Sequence, residues 1–83
     1  GALLFTPNEV IYAPPLSGKV ANPVGAGDSM VAGFVGTFIR TGDALEAFRV
    51  AVAAGTATAF SPDIATTKEI EAQLGRVVLE KIE

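Results

Sequence analysis

The stretch Asn22-Pro23-Val24-Gly25-Ala26-Gly27-Asp28-Ser29-Met30-Val31-Ala32-Gly33-Phe34-Val35 decides how this chain is read. A run of small residues ends in a carboxylate and opens straight into an apolar helical pattern. Small residues let a ligand approach the backbone closely. The start of a helix has N–H groups without intrahelical partners, and the helix dipole favours negative charge there. The stretch therefore reads as an anion site, with phosphate the obvious guest. An acidic side chain beside bound phosphate is repelled by it, so Asp28 needs a task that outweighs the repulsion, and taking the proton from an attacking hydroxyl is such a task. The plainer reading is that Gly25 and Gly27 shape a tight turn and Asp28 merely caps the helix. Two familiar phosphate loops are excluded: no Gly-Lys-Ser/Thr ending exists, and Met30 stands where the dinucleotide pattern needs its third glycine.

Downstream, Met30, Val31, Phe34, Val35, Phe38 and Ile39 recur at helical spacing and predict one broad apolar stripe on a helix that starts at Gly27 or Asp28. Ala32, Gly33 and Gly36 keep its other faces thin, as close packing on a sheet requires. Thr41-Gly42 stops it, glycine suiting the left-handed position after a last turn. Asp43 with Glu46 is a capping-box-like start for a second helix from Ala44 to about Phe60, apolar nearly all round after Arg49 and so expected to be buried. Ser61-Pro62-Asp63 breaks the pattern. Thr66 with Glu69 caps a short third helix, Thr67 to Leu74, which Gly75 closes. The tail from Val77 to Ile82 reads as a last strand or a frayed end.

Upstream, Ala2 to Phe5 and Val10 to Ala13 are short apolar runs around Thr6-Pro7-Asn8-Glu9, a hairpin signal. Pro14-Pro15 ends the second run, and Lys19-Val20-Ala21 leads into the loop at Asn22-Pro23, where the proline biases Asn22 away from helical geometry.

Composition narrows the function. With 83 residues the chain is at most one small domain, yet 49% of it is apolar and only 18% charged, as in the interior of something larger. A fragment is expected. Six basic against nine acidic residues, with no basic cluster, argue against nucleic acid. No Cys and no His are present, so catalysis falls to carboxylates, Lys, Ser or Thr. The longest apolar stretch, Val50 to Phe60, is too short to cross a bilayer, and a cytoplasmic protein is the default expectation. Asp43, Glu46, Asp63, Glu69, Glu71 and Glu80 read as caps or solvated faces, so no side-chain metal ligand is assigned. Lys19 and Arg40 are read as surface cations.

The pattern Asn-Pro-x-Gly-Ala-Gly-Asp-x-x-x-Ala-Gly-Phe-Val, residues 22 to 35, resembles the second signature of the ribokinase-like PfkB carbohydrate kinases. That resemblance implies an α/β chain, residues 1–83 being the C-terminal, nucleotide-binding and catalytic part of a three-layer αβα fold. It implies that the backbone of Gly25, Ala26 and Gly27 is an anion hole for the transferred phosphoryl group, with Asp28 as the base acting on the sugar hydroxyl. ATP is the implied co-substrate, with Mg²⁺ bridging its oxygens. Asn22 stands where ribokinase often has Asp, so no monovalent cation is implied. Ala54 and Gly55 would line the adenine pocket, ordinary helix packing being the alternative. The segments Gly55-Thr56-Ala57 and Ser61-Pro62-Asp63-Ile64-Ala65-Thr66 look most like the members that phosphorylate ketohexose phosphates, fructose 1-phosphate first and tagatose 6-phosphate next. The implied partners are ATP, a sugar phosphate and the remainder of the kinase chain, with a homodimer of the full-length enzyme left open. The isolated fragment is expected to be inactive. From other classes, a non-catalytic nucleotide- or anion-binding module and a helical packing unit without ligand remain.

Overall fold

The computed structural model describes residues 1–21, 23–62 and 65–82. Asn22 and Asp63, which the sequence reading placed in a loop and a helix break, lie outside the described residues.

The hairpin forms as its residues predict. Strands β1 (Ala2–Phe5) and β2 (Val10–Ala13) pair antiparallel, Ala2 opposite Ala13 and Phe5 opposite Val10. Thr6 closes the turn, its hydroxyl accepting from the Glu9 amide at 3.0 Å while its own N–H donates to the Glu9 carbonyl at 2.9 Å. The tail resolves into a strand only at its end: β3 (Glu80–Ile82) pairs antiparallel with β2, giving the order β1-β2-β3.

Helix α1 runs Pro23–Thr41 and so begins four residues before Gly27. The reason is the proline. Its missing N–H is one that a first turn leaves without an intrahelical partner in any helix, and its fixed φ suits the first helical position, so Pro23 starts the helix where a loop was expected. Gly42 ends it at φ +68°, its N–H donating to the Phe38 carbonyl at 2.7 Å.

Helix α2 (Ala44–Phe60) follows at once, Asp43 Oδ1 accepting from the amides of Leu45 and Glu46 at 3.0 and 3.1 Å. Only this half of the box is used, because the Glu46 carboxylate turns instead to Arg49, 2.7 Å away. Helix α3 (Thr67–Leu74) carries the full reciprocal box between Thr66 and Glu69.

The centre of the molecule is α2. Ile11 and Ala13, alternate residues of β2, meet Phe48 and Val52 of α2, with Leu4, Phe34 and Leu79 packed around them. Helices α1 and α3 lean on α2 from its other sides. The thin face of α1 thus serves a helix rather than a sheet: a Cβ on Gly33 would stand 3.2 Å from that of Ala54. The broad stripe of α1 also divides. Met30 and Phe34 turn inward, while Val31, Val35, Phe38 and Ile39 stay exposed, Ile39 at 79%.

Candidate active site

Because α1 begins at Pro23, Gly25, Ala26 and Gly27 are its third to fifth residues and Asp28 its sixth. A residue five places inside the helix is not its N-cap, which removes the plainer reading of Asp28. Asp28 lies three residues after Gly25 and therefore on the same helix face. Side chains on a helix tilt toward its N-terminus, so Asp28 is set toward the first turn of α1 rather than down the helix. Asp28 is exposed, and no ion pair or hydrogen bond holds its carboxylate among the described residues. The 19-residue helix directs the positive end of its dipole at the same place.

Beside this turn lies a cavity of about 220 Å³. Ala26 and Met30 of α1, Gly55, Thr56 and Phe60 of α2, and Leu16 of the segment after β2 are among its walls. It is smaller than the ~300–1,000 Å³ of closed small-molecule sites and sized for a ring rather than a whole nucleotide. Glycine at position 55 is what allows α1 to come so close. A Cβ there would meet the Ala26 carbonyl oxygen at 3.2 Å and Met30 Cε at 3.2 Å. The structure therefore brings Ala26 and Gly55 together at one wall. Ala54 is placed elsewhere, buried against Gly33 in the helix interface.

Of the two cations weighed from sequence, Arg40 is in the last turn of α1, roughly 18 Å along the axis from Asp28, and takes no part. Lys19 is exposed in the segment leading to α1. Among the described residues no group of three or more His, Cys, Asp or Glu side chains converges.

One feature that the sequence reading passed over ties the site together. The hydroxyl of Thr58, on buried α2, donates to Ser29 Oγ at 2.8 Å and accepts from the Ala65 amide at 3.3 Å. The available signal was a hydroxyl in an Ala-rich buried helix, since a buried polar group needs partners.

Residues 1–71 match the pfkB family carbohydrate kinases. The chain belongs to that family. Over 82 residues it is 43% identical to the 1-phosphofructokinase of Bacillus subtilis strain 168, covering 99% of this chain and 27% of that enzyme. Over 59 residues it is 37% identical to the 1-phosphofructokinase of Borreliella burgdorferi, covering 71% of this chain and 19% of the relative. A candidate phosphofructokinase structure from Staphylococcus aureus superposes with a TM-score of 0.84 at 43% identity, over 90% of this chain and 24% of that one. A candidate 1-phosphofructokinase from Thermotoga maritima shares the fold, with a TM-score of 0.82 at 22% identity over 98% of this chain and 27% of that one. The α/β arrangement of strands followed by helices is thus that of pfkB-family phosphofructokinases, and the chain spans between 19% and 27% of the length of these relatives.

Proposed function

We propose that residues 1–83 are the C-terminal, nucleotide-binding and catalytic portion of a pfkB-family kinase that phosphorylates a ketohexose phosphate with ATP, converting fructose 1-phosphate to fructose 1,6-bisphosphate. The observation that carries this reading is the meeting of Ala26, near the start of α1, with Gly55 at a cavity wall, two residues along the helix from the exposed carboxylate of Asp28. The identity to 1-phosphofructokinases supports the choice of substrate. The adenine ring takes the cavity against Gly55, and the triphosphate runs toward the first turn. The Gly25-Ala26-Gly27 backbone, at the positive end of the α1 dipole, faces the transferred phosphoryl group, where a dipole already aimed at developing charge lowers the barrier. Asp28 accepts the proton of the acceptor hydroxyl as that oxygen bonds to phosphorus, and the bond to the β-phosphate oxygen breaks to release ADP. Mg²⁺, when bound together with ATP, would offset phosphate charge, and no side chain among the described residues is assigned to hold it.

In this reading the exposed apolar residues are contact surface for the remainder of the kinase chain. Leu3 and Phe5 of β1 and Val31, Val35, Phe38 and Ile39 of α1 are exposed, so the 83 residues alone would lack the sugar side of the cleft and be inactive. No helix among the described residues is long and apolar enough to cross a membrane, and we place the enzyme in the cytoplasm with its ATP.

The test compares specificity constants of the full-length kinase for fructose 1-phosphate and tagatose 6-phosphate. We expect a preference of at least about tenfold for the former, a difference of about 1.4 kcal/mol in transition-state binding. The reverse preference moves the assignment to tagatose-6-phosphate kinase. Binding of Mg-ATP without ADP release under any sugar phosphate would make this a binding module.

A further inference from the structure

We infer that Thr58 is a positioning residue for Asp28, its hydroxyl locking the second turn of α1 and the segment after α2 to one point near the end of α2; the inference rests on the kinase reading above. Thr58 is 1% exposed in a helix whose neighbouring buried residues are Ala54, Gly55 and Ala57. Threonine is a poorer helix former than alanine, and its hydroxyl is costly to bury without partners. Both of its bonds leave the helix. One goes to Ser29, the residue next to Asp28, and the other comes from Ala65, seven residues on in the chain.

Two backbone bonds converge on the same end of α2. The Ala21 amide donates to the Ala59 carbonyl at 2.6 Å, holding the segment that enters α1, and the Ser61 amide donates to the Thr58 carbonyl at 3.2 Å. The start of α1 is thus held on both sides of the catalytic turn: at Ala21 before it and at Ser29 just beyond Asp28. A helical turn moves as a unit, so the Thr58–Ser29 bond sets the rotation and height of Asp28 relative to the cavity wall at Gly55. General-base catalysis needs the carboxylate at about 2.6–3.2 Å from its proton, and a displacement of about 1 Å can cost as much as 10²-fold in rate. Thr58 touches neither the reacting atoms nor the cavity and acts only through Ser29.

The experiment uses the full-length kinase carrying Thr58→Val, Thr58→Ser, Ser29→Ala and the Val/Ala pair, with rates normalised to folded enzyme. Valine keeps the shape and removes the hydroxyl. Thr58→Val is expected to lower kcat roughly tenfold, with KM for both substrates changed by less than about twofold. Thr58→Ser restores most of the rate. Ser29→Ala lowers kcat to a similar degree, and the double variant is no slower than the slower single one, as coupling through a single bond requires. Should Thr58→Val fail to fold, Ser29→Ala on the partly exposed side of the bond carries the same expectation. An inactive wild type overturns the kinase reading itself, and full activity in Asp28→Asn removes the base that Thr58 is argued to position. With wild type active and Asp28→Asn inactive, any of three results overturns the role of Thr58: unchanged kcat in the hydroxyl-deleted variants with only a lowered Tm, a serine variant no better than valine, or additive losses in the pair.

Discussion

Asp28→Asn is expected to retain the fold and lose roughly 10²–10⁴-fold in kcat, the usual contribution of a positioned general base. The side chain is exposed, inside α1 rather than at its cap, and without a hydrogen-bond or ion-pair partner among the described residues. Its removal therefore breaks no structural contact, and substitutions at such exposed sites change stability by about 0.5 kcal/mol or less. The amide is nearly isosteric but does not accept the proton of an alcohol at neutral pH. The checks are steady-state turnover with saturating ATP and sugar phosphate, thermal unfolding, and ATP affinity. Loss of turnover with Tm and ATP affinity near wild type supports the base. A rate within about tenfold of wild type, well short of a general base's usual share, removes Asp28 from the chemistry.

Gly55→Val is expected to raise the KM for ATP at least about tenfold, equivalent to about 1.4 kcal/mol of lost binding. Even the first carbon of the new side chain would stand 3.2 Å from the Ala26 carbonyl oxygen, which is backbone and yields only if the first turn of α1 moves. Met30 Cε, also 3.2 Å away, is the end of a flexible side chain and can swing aside. The branched carbons add to the strain, and overpacking of this kind costs about 1–3 kcal/mol of stability. Gly55→Ala provides the graded control. Its single methyl is tight, but alanine gains up to about 1 kcal/mol over glycine within a helix, so stability changes little while the wall shifts by a few tenths of an ångström. KM for the sugar phosphate, bound on the other side of the transferred group, should move less than KM for ATP in both variants. An unchanged ATP KM in Gly55→Val would separate the cavity from the nucleotide.

Much of this architecture was legible in the sequence because its punctuation is local. Thr66 with Glu69, Asp43 before Ala44 and Gly42 after Thr41 each act within a few residues, and the first helix ends and the second and third begin where those signals lie. The hairpin was equally plain from two apolar runs around Thr6. The start of α1 was not, because Pro23 followed by small residues has the composition of a loop, and only the first-turn tolerance for proline makes it helical. Partner choice was also hidden. Gly33 and Gly36 read alike as thin faces, yet Gly33 receives Ala54 whereas a Cβ on Gly36 would meet nothing within 4 Å. Of the candidate site, the Gly25-Ala26-Gly27-Asp28 run and Gly55 were proposed from sequence. The approach of Ala26 to Gly55 and the bond from Thr58 to Ser29 join residues 29 positions apart, a separation no local pattern encodes.

The most direct measurement is a crystal structure of the full-length kinase with a non-hydrolysable ATP analogue, Mg²⁺ and the sugar phosphate. We predict the adenine against Gly55, the γ-phosphate at the first turn of α1, and an Asp28 carboxylate oxygen at about 2.6–3.2 Å from the acceptor hydroxyl. A carboxylate turned away from that hydroxyl, or a triphosphate bound at any other part of the chain, would contradict the account.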